Sequence, residues 1–283
     1  MISAVLLVSA VLARAAAPAP APPRDPSLPP SAETAKAALE SSPRHGEYVD
    51  VPYAGGPKLK TWISYPERRD KAGVVIVIQE VFGLTDWLRG VADQLAKEGF
   101  IAVAPDMVSG YGPNGGGTDS VPGRDDVVAL VRKITPDEAN RRLNAVREWA
   151  VKIPAGNGRV ATVGFCWGGG VSFAYAGAWP DLAAAVVYYG TSPDPAIIDA
   201  IRAPVLGHYG GDDERVDATI PPAEAQMKKL GRTFEVHVYP GAGHGFLRDQ
   251  AGRDGANLKA TKESWPRTVA FLKEKLGGQV SQR

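Results

Sequence analysis

Val160-Ala161-Thr162-Val163-Gly164-Phe165-Cys166-Trp167-Gly168-Gly169-Gly170 is the stretch on which the reading of this chain turns. Its first six residues, 160–165, are apolar and rich in β-branched side chains, which predicts a strand covered on both faces. Residues 167–178 predict a helix that starts at once. Between them Gly164 and Gly168 flank Cys166 in the pattern Gly-x-Cys-x-Gly, the spacing of a nucleophile held on a strand-to-helix turn. So sharp a turn leaves no room for Cβ atoms at the flanking positions and pushes the central side chain out above the sheet. The helix that follows points its amino-terminal dipole at the sulfur, which favours thiolate. A buried structural cysteine beside packing glycines is the bland alternative, and it accounts for neither the spacing nor the context.

Outward from this turn, strands alternate with helices. Strands are expected at 47–52 and 59–65, joined by a Gly55-Gly56 turn, and then at 74–78, 100–104, 183–189, 203–209 and 233–239. Helical periodicity covers 86–98, stopped by Gly99, and 135–152, where Thr135 is the N-cap, Pro136 opens the helix and Glu138 closes a capping box. Further helices are expected near 222–230 and 260–276. Residues 109–123 form a long glycine-rich loop, of the kind that is often functional or mobile. The alternation implies an α/β fold, a mostly parallel central sheet with helices on both faces, and places function at the carboxyl ends of the strands.

Three of those strand ends carry candidate chemistry. Gly210-Gly211-Asp212-Asp213 follows one strand; the Gly-x-x-Asp spacing favours Asp213 as an acid and leaves Asp212 as a turn residue. Gly241-Ala242-Gly243-His244-Gly245-Phe246 follows the last strand, and His244 completes the chain order nucleophile, acid, base. The other three histidines fit less well: His45 is near the amino terminus, His237 alternates within a strand, and His208 ends a strand close to the acid loop. Gln79-Glu80-Val81-Phe82-Gly83 follows the strand at 74–78; the backbone amides of Val81 and Trp167 are the expected oxyanion donors, and Glu80 falls beside the thiol unless it is a solvated loop carboxylate.

Together with Ala104-Pro105-Asp106 and Ala185-Val186-Val187-Tyr188-Tyr189-Gly190, these segments resemble the dienelactone hydrolase (carboxymethylenebutenolidase) family over roughly residues 74–276. The resemblance implies an α/β-hydrolase fold and a hydrolase that cleaves ester or lactone bonds of a small molecule without a metal or organic cofactor. It implies Cys166 as nucleophile, His244 and Asp213 as its partners, and Glu80 as the carboxylate that holds the thiol at rest and deprotonates it when substrate arrives. It also implies that Arg248, four residues after His244, binds a substrate carboxylate. A second arginine of the family follows the Pro-Asp segment, where this chain reads Pro105-Asp106-Met107-Val108-Ser109-Gly110 and has none. Arg124 is a replacement from the long loop that nothing in the sequence locates. Two other readings compete: a broad carboxylesterase acting on short acyl or aryl esters, and a non-catalytic binding or thiol-redox protein.

The amino terminus differs from the rest. Residues 2–12 form an apolar run with small residues after it, the pattern of a signal peptide at 1–17, although the usual positive charges before the run are missing. The expectation is export, to periplasm or medium, with a cytoplasmic enzyme bearing an apolar leader as the alternative. Residues 18–45 are expected to be a Pro/Ala-rich linker and short amino-terminal segment, 46–278 the folded domain and 279–283 a disordered tail. With 44% hydrophobic and 22% charged residues and a net charge of +1, the chain suits a single soluble domain and offers no basic surface for nucleic acid. The apolar run is too short to span a membrane, and the one cysteine excludes an intrachain disulfide.

Overall fold

The computed structural model describes residues 24–54 and 56–277. The readings at 1–17, at Gly55 and at 279–283 lie outside the described residues. Within them, eight strands form one sheet: β1 (Gly46–Val51), β2 (Leu59–Ser64), β3 (Ala72–Ile78), β4 (Ile101–Pro105), β5 (Gly156–Phe165), β6 (Ala184–Tyr188), β7 (Val205–Gly210) and β8 (Phe234–Tyr239). Their spatial order is β1-β2-β4-β3-β5-β6-β7-β8. β1 and β2 are antiparallel to their neighbours, and the other pairings are parallel. The helices are α1 (Ala35–Glu40), α2 (Asp86–Lys97), α3 (Arg124–Val131), α4 (Pro136–Ala150), α5 (Trp167–Ala178), α6 (Pro195–Ala200), α7 (Glu214–Asp217), α8 (Ile220–Lys229) and α9 (Ala256–Leu276).

The period-2 alternation of β3 builds the layers. Val74, Ile76 and Ile78 join the core of one face, with Leu143 and Val146 of α4, Phe173 of α5 and Met227 of α8. Val75 and Val77 face the other way, onto Leu88, Val91 and Leu95 of α2 and Trp265 and Leu272 of α9. All seven residues of β3 are buried, as a strand covered on both faces requires.

Four short helices, α1, α3, α6 and α7, have no counterpart in the sequence reading, because one or two turns carry too little periodicity to stand out. At α4 the Thr135 side chain accepts from the Glu138 amide as expected, but Glu138 does not return the bond. Its carboxylate is taken by Tyr53 (2.7 Å), Arg141 (2.8 Å) and Arg142 (2.6 Å), so only half of the capping box forms.

The proline-rich stretch is expected to be loosely packed, yet its described residues 24–30 pack against the domain, as does the short segment 31–45. Leu28, Pro29 and Pro30 are buried, and Pro30 lies against Gly90 of α2, where a Cβ would come within 2.5 Å of its ring. Arg24 donates to Gln94 at 2.8 Å. Arg44 and Ser42 both bond the carboxylate of Asp93, on α2, at 2.5–3.0 Å and 2.7 Å. Proline-rich composition sets backbone stiffness, but a partner surface decides whether the segment packs, and α2 supplies one. Asp93→Ala leaves Arg44 half-buried and unpaired; we expect a loss of about 2–3 kcal/mol in urea unfolding. A variant as stable as the wild type would mean that the segment is a tether.

Candidate active site

The elbow is built by close backbone approach. A Cβ on Gly164 would lie 1.9 Å from the carbonyl oxygen of Gly168, and one on Gly168 would lie 2.3 Å from that of Gln79. Only glycine lets the first turn of α5 rest directly on the ends of β5 and β3. Cys166, between them, is held at φ 55° and ψ −116°, a strained conformation for a residue with a side chain. Its amide donates to Tyr188 O at 3.0 Å, which ties the turn to the end of β6.

The amides of Trp167 and Val81, the two expected oxyanion donors, both act on the sulfur and pull its pKa down. They do not prevail. Burial first, and then the charge of Glu80, push the thiol up to about 11. The helix dipole favours thiolate, as expected from position, but desolvation outweighs it and the sulfur rests as S–H, in keeping with the resting thiol that the family resemblance implies.

Glu80 is not a solvated loop carboxylate; it is 3% exposed. Burial raises its pKa to about 7, against the opposing charges of Arg248 and Arg124. Arg248 Nε lies 2.8 Å from Glu80 Oε2, yet the N–H is not directed at the oxygen and both atoms lack an aligned hydrogen bond. Glu80 makes no hydrogen bond to the thiol either, so at rest it acts on Cys166 through its charge.

Arg248, 24% exposed, thus meets Glu80 rather than its neighbours Asp249 or Asp254, and its guanidinium also stands 5.2 Å from the Phe82 ring centre. Arg124, at the start of α3, approaches the same ring at 3.7 Å. Gly110 closes the segment after Pro105-Asp106 that carries no arginine, and its backbone suits glycine. Gly110 has φ +85°, and a Cβ there would come within 2.4 Å of Pro57.

His244 Nδ1 is 2.5 Å from Asp213 Oδ2. A carboxylate only accepts, so Nδ1 carries the proton and Nε2 is left as an acceptor. Asp213 is buried and its neighbour Asp212 is not in the site: Asp212 pairs with Arg253 at 3.2 Å. The histidine loop is pinned from α9, where Asn257 accepts from the Gly243 amide (2.9 Å) and donates to Asp249 O (2.7 Å). His208 does not line the site. It is fully buried, with Tyr239 Oη at 2.9 Å and Thr268 Oγ1 at 3.0 Å.

Two features went unseen in the sequence. Asp106 staples the glycine-rich loop: it accepts from the Thr118 amide (2.6 Å) and hydroxyl (2.7 Å), while Thr118 Oγ1 accepts from the Leu84 amide (3.0 Å) in the loop after Glu80. Tyr189 follows β6 at φ +41° and sets its ring edge-on to His244, 5.2 Å between centroids. The signal for it was a second aromatic placed directly before Gly190 at a strand's carboxyl end.

The raised pKa of Glu80 fixes the sign of one pH effect. Its folded value of about 7 exceeds the ordinary 4.5, so the folded state holds the proton more tightly. That contribution to stability is complete below pH 4.5, is lost as pH rises towards 7, and stays lost above. Glu80→Gln is therefore expected to match the wild type in thermal unfolding at pH 4.5 and to exceed it at pH 8. An equal difference at both pH values would show that Glu80 is not held near neutrality.

The dienelactone hydrolase family model matches residues 59–276 of the chain. A putative carboxymethylenebutenolidase of Salmonella typhimurium is 31% identical over 229 residues, covering 77% of this chain and 83% of the relative. That of Escherichia coli is 30% identical over 246 residues, covering 83% and 88%. Among solved structures, a putative dienelactone hydrolase from Klebsiella pneumoniae superposes with a TM-score of 0.72 at 28% identity, over 82% of this chain and 99% of that one. The chain is a hydrolase and belongs to the dienelactone hydrolase family of the α/β-hydrolase superfamily.

Proposed function

We propose that the protein cleaves ester or lactone bonds through a thioester on Cys166. The observation that carries this reading is a thiol on a strained elbow that faces two backbone amides, with a carboxylate of shifted pKa beside it. A substrate carbonyl carbon sits over Sγ with its oxygen towards the amides of Val81 and Trp167, which hold the negative charge of the tetrahedral intermediate. Glu80 takes the S–H proton as sulfur attacks. Its resting pKa of about 7 lies well below that of the thiol, so transfer is unfavourable until Arg248 is drawn from Glu80. The leaving oxygen takes up the proton that Glu80 removed from sulfur; His244, oriented by Asp213, then takes a proton from the water that attacks the thioester and returns it to the departing sulfur.

Cys166→Ala is expected to fold normally and to lose about a thousandfold or more in kcat on p-nitrophenyl acetate, with His244→Ala similar, because such residues act as a unit. Iodoacetamide should abolish the wild-type rate. A folded Cys166→Ala enzyme that keeps its rate excludes the mechanism. Asp213→Asn should cost more than Asp212→Asn, and the reverse order would reassign the acid.

Arg248 and Arg124 over Phe82 favour a substrate that carries a carboxylate. A broader esterase is favoured by one observation, a cleft of about 630 Å³ that opens beside Trp167 between Ile134, Val171, Ala174 and Ile197. The two readings part on Arg248→Ala. A charge-assisted pair of this kind corresponds to about a tenfold preference in kcat/KM for an acidic lactone over its methyl ester. That preference should disappear in the variant; an unchanged ratio selects the broader esterase.

A further inference from the structure

Tyr189 has a feature that the proposed reaction does not use. Its side chain is fully buried, yet its hydroxyl has no hydrogen-bond partner among the described residues. Buried hydroxyls are costly when unpaired and are seldom left so. The ring is fixed: it lies edge-on to His244 (5.2 Å) and to Phe246 (5.3 Å), and the backbone amide donates to His208 O at 2.8 Å. The left-handed backbone at φ +41° is a second cost borne at the same residue.

The charges felt by this hydroxyl identify its surroundings: Glu80 first, then Arg248, then Cys166. Burial holds the group far above the ordinary tyrosine range, so it stays a neutral O–H donor throughout the working pH range. In the same pocket Glu80 Oε2 is a buried acceptor without an aligned donor, and Arg248 Nε is a donor without an aligned acceptor, although the two are 2.8 Å apart. The pocket therefore holds a carboxylate paired with Arg248 at 2.8 Å through an N–H that is not aligned, and a buried hydroxyl without a partner whose strongest charged influence is Glu80. Their complementarity implies a second arrangement of the carboxylate.

We infer that Tyr189 is a positioning residue: when an anionic substrate draws Arg248 away, the Tyr189 hydroxyl donates to the Glu80 carboxylate and holds it towards Cys166. The inference rests on the proposed cysteine mechanism and deepens it. No bond is made or broken in this step; a guanidinium partner is exchanged for a hydroxyl partner, and Glu80 remains the proton acceptor from sulfur. The groups that face Glu80 are Arg248 from the histidine loop, Arg124 from α3, Cys166 from the elbow and Tyr189 from the end of β6.

The test is Tyr189→Phe, which keeps the ring and removes only the hydroxyl, assayed with mono-(4-nitrophenyl) glutarate as an ester bearing a carboxylate. A hydrogen bond to the charged form lowers a carboxyl pKa. Its loss should move the acidic limb of kcat, which reports the enzyme–substrate complex, upward by about one pH unit. The acidic limb of kcat/KM, which reports free enzyme, should stay in place, because at rest Glu80 does not touch the hydroxyl. In an Arg248→Ala background Glu80 has lost its resting partner, so there Tyr189→Phe should move the kcat/KM limb as well. Limbs that move together in the otherwise native enzyme, or a kcat limb that does not move, would overturn the inference, as would an unmoved kcat/KM limb in the double variant. Wild-type turnover of the glutarate ester that survives Cys166→Ala would instead overturn the cysteine mechanism itself.

Discussion

The approach of α5 onto the ends of β5 and β3 is the contact from which the site is assembled. It is a backbone-to-backbone contact, and Gly164 and Gly168 permit it because a Cβ at either would sit within 2.5 Å of a carbonyl oxygen. From this contact follow the strained backbone of Cys166, the direction of its side chain and the convergence of the Trp167 and Val81 amides on the sulfur. The strain at φ 55° persists because the strand, the helix and the Cys166-to-Tyr188 hydrogen bond all hold it from outside.

Burial then sets the electrostatics. The thiol and Glu80 are both removed from water, and removal from water disfavours the charged form of each. The resting site is consequently less ionised than isolated side chains would be: the sulfur is protonated, and Glu80 titrates near neutrality in spite of two arginines. A site of this kind is quiet until a ligand changes its charge. Under the proposed mechanism the ligand does so by competing for Arg248, which couples nucleophile activation to occupancy of the site and limits unproductive thiol chemistry.

The loops that carry His244 and Glu80 are irregular, but both are fastened. Asn257 holds the histidine loop from the start of α9, and Asp106 with Thr118 ties the glycine-rich loop to the segment after Glu80. Such bonds replace the ladders that a loop lacks and give irregular backbone the fixed geometry that a pair such as His244–Asp213 requires. The glycine-rich loop that composition marked as functional or mobile is thereby anchored near its middle.

The sequence by itself determined the strand–helix alternation, the elbow at Cys166 and the loops of Asp213 and His244, because each rests on a local pattern: a run of β-branched residues, a glycine spacing, a glycine-rich turn after a strand. The spacing favours Asp213 over Asp212, and Asp213 lies 2.5 Å from His244. What depends on distant parts of the chain was settled only by tertiary structure. The packing of 24–45 required the surface of α2, the pairing of Glu80 with Arg248 joins residues 168 positions apart in the chain, and Arg124 reaches Phe82 through α3, a helix too short to read. The physical cause of the thiol's protonation lies furthest from the sequence. A helix dipole is legible from position, but the desolvation that outweighs it exists only once the sheet, the helices and the loops have closed around the sulfur.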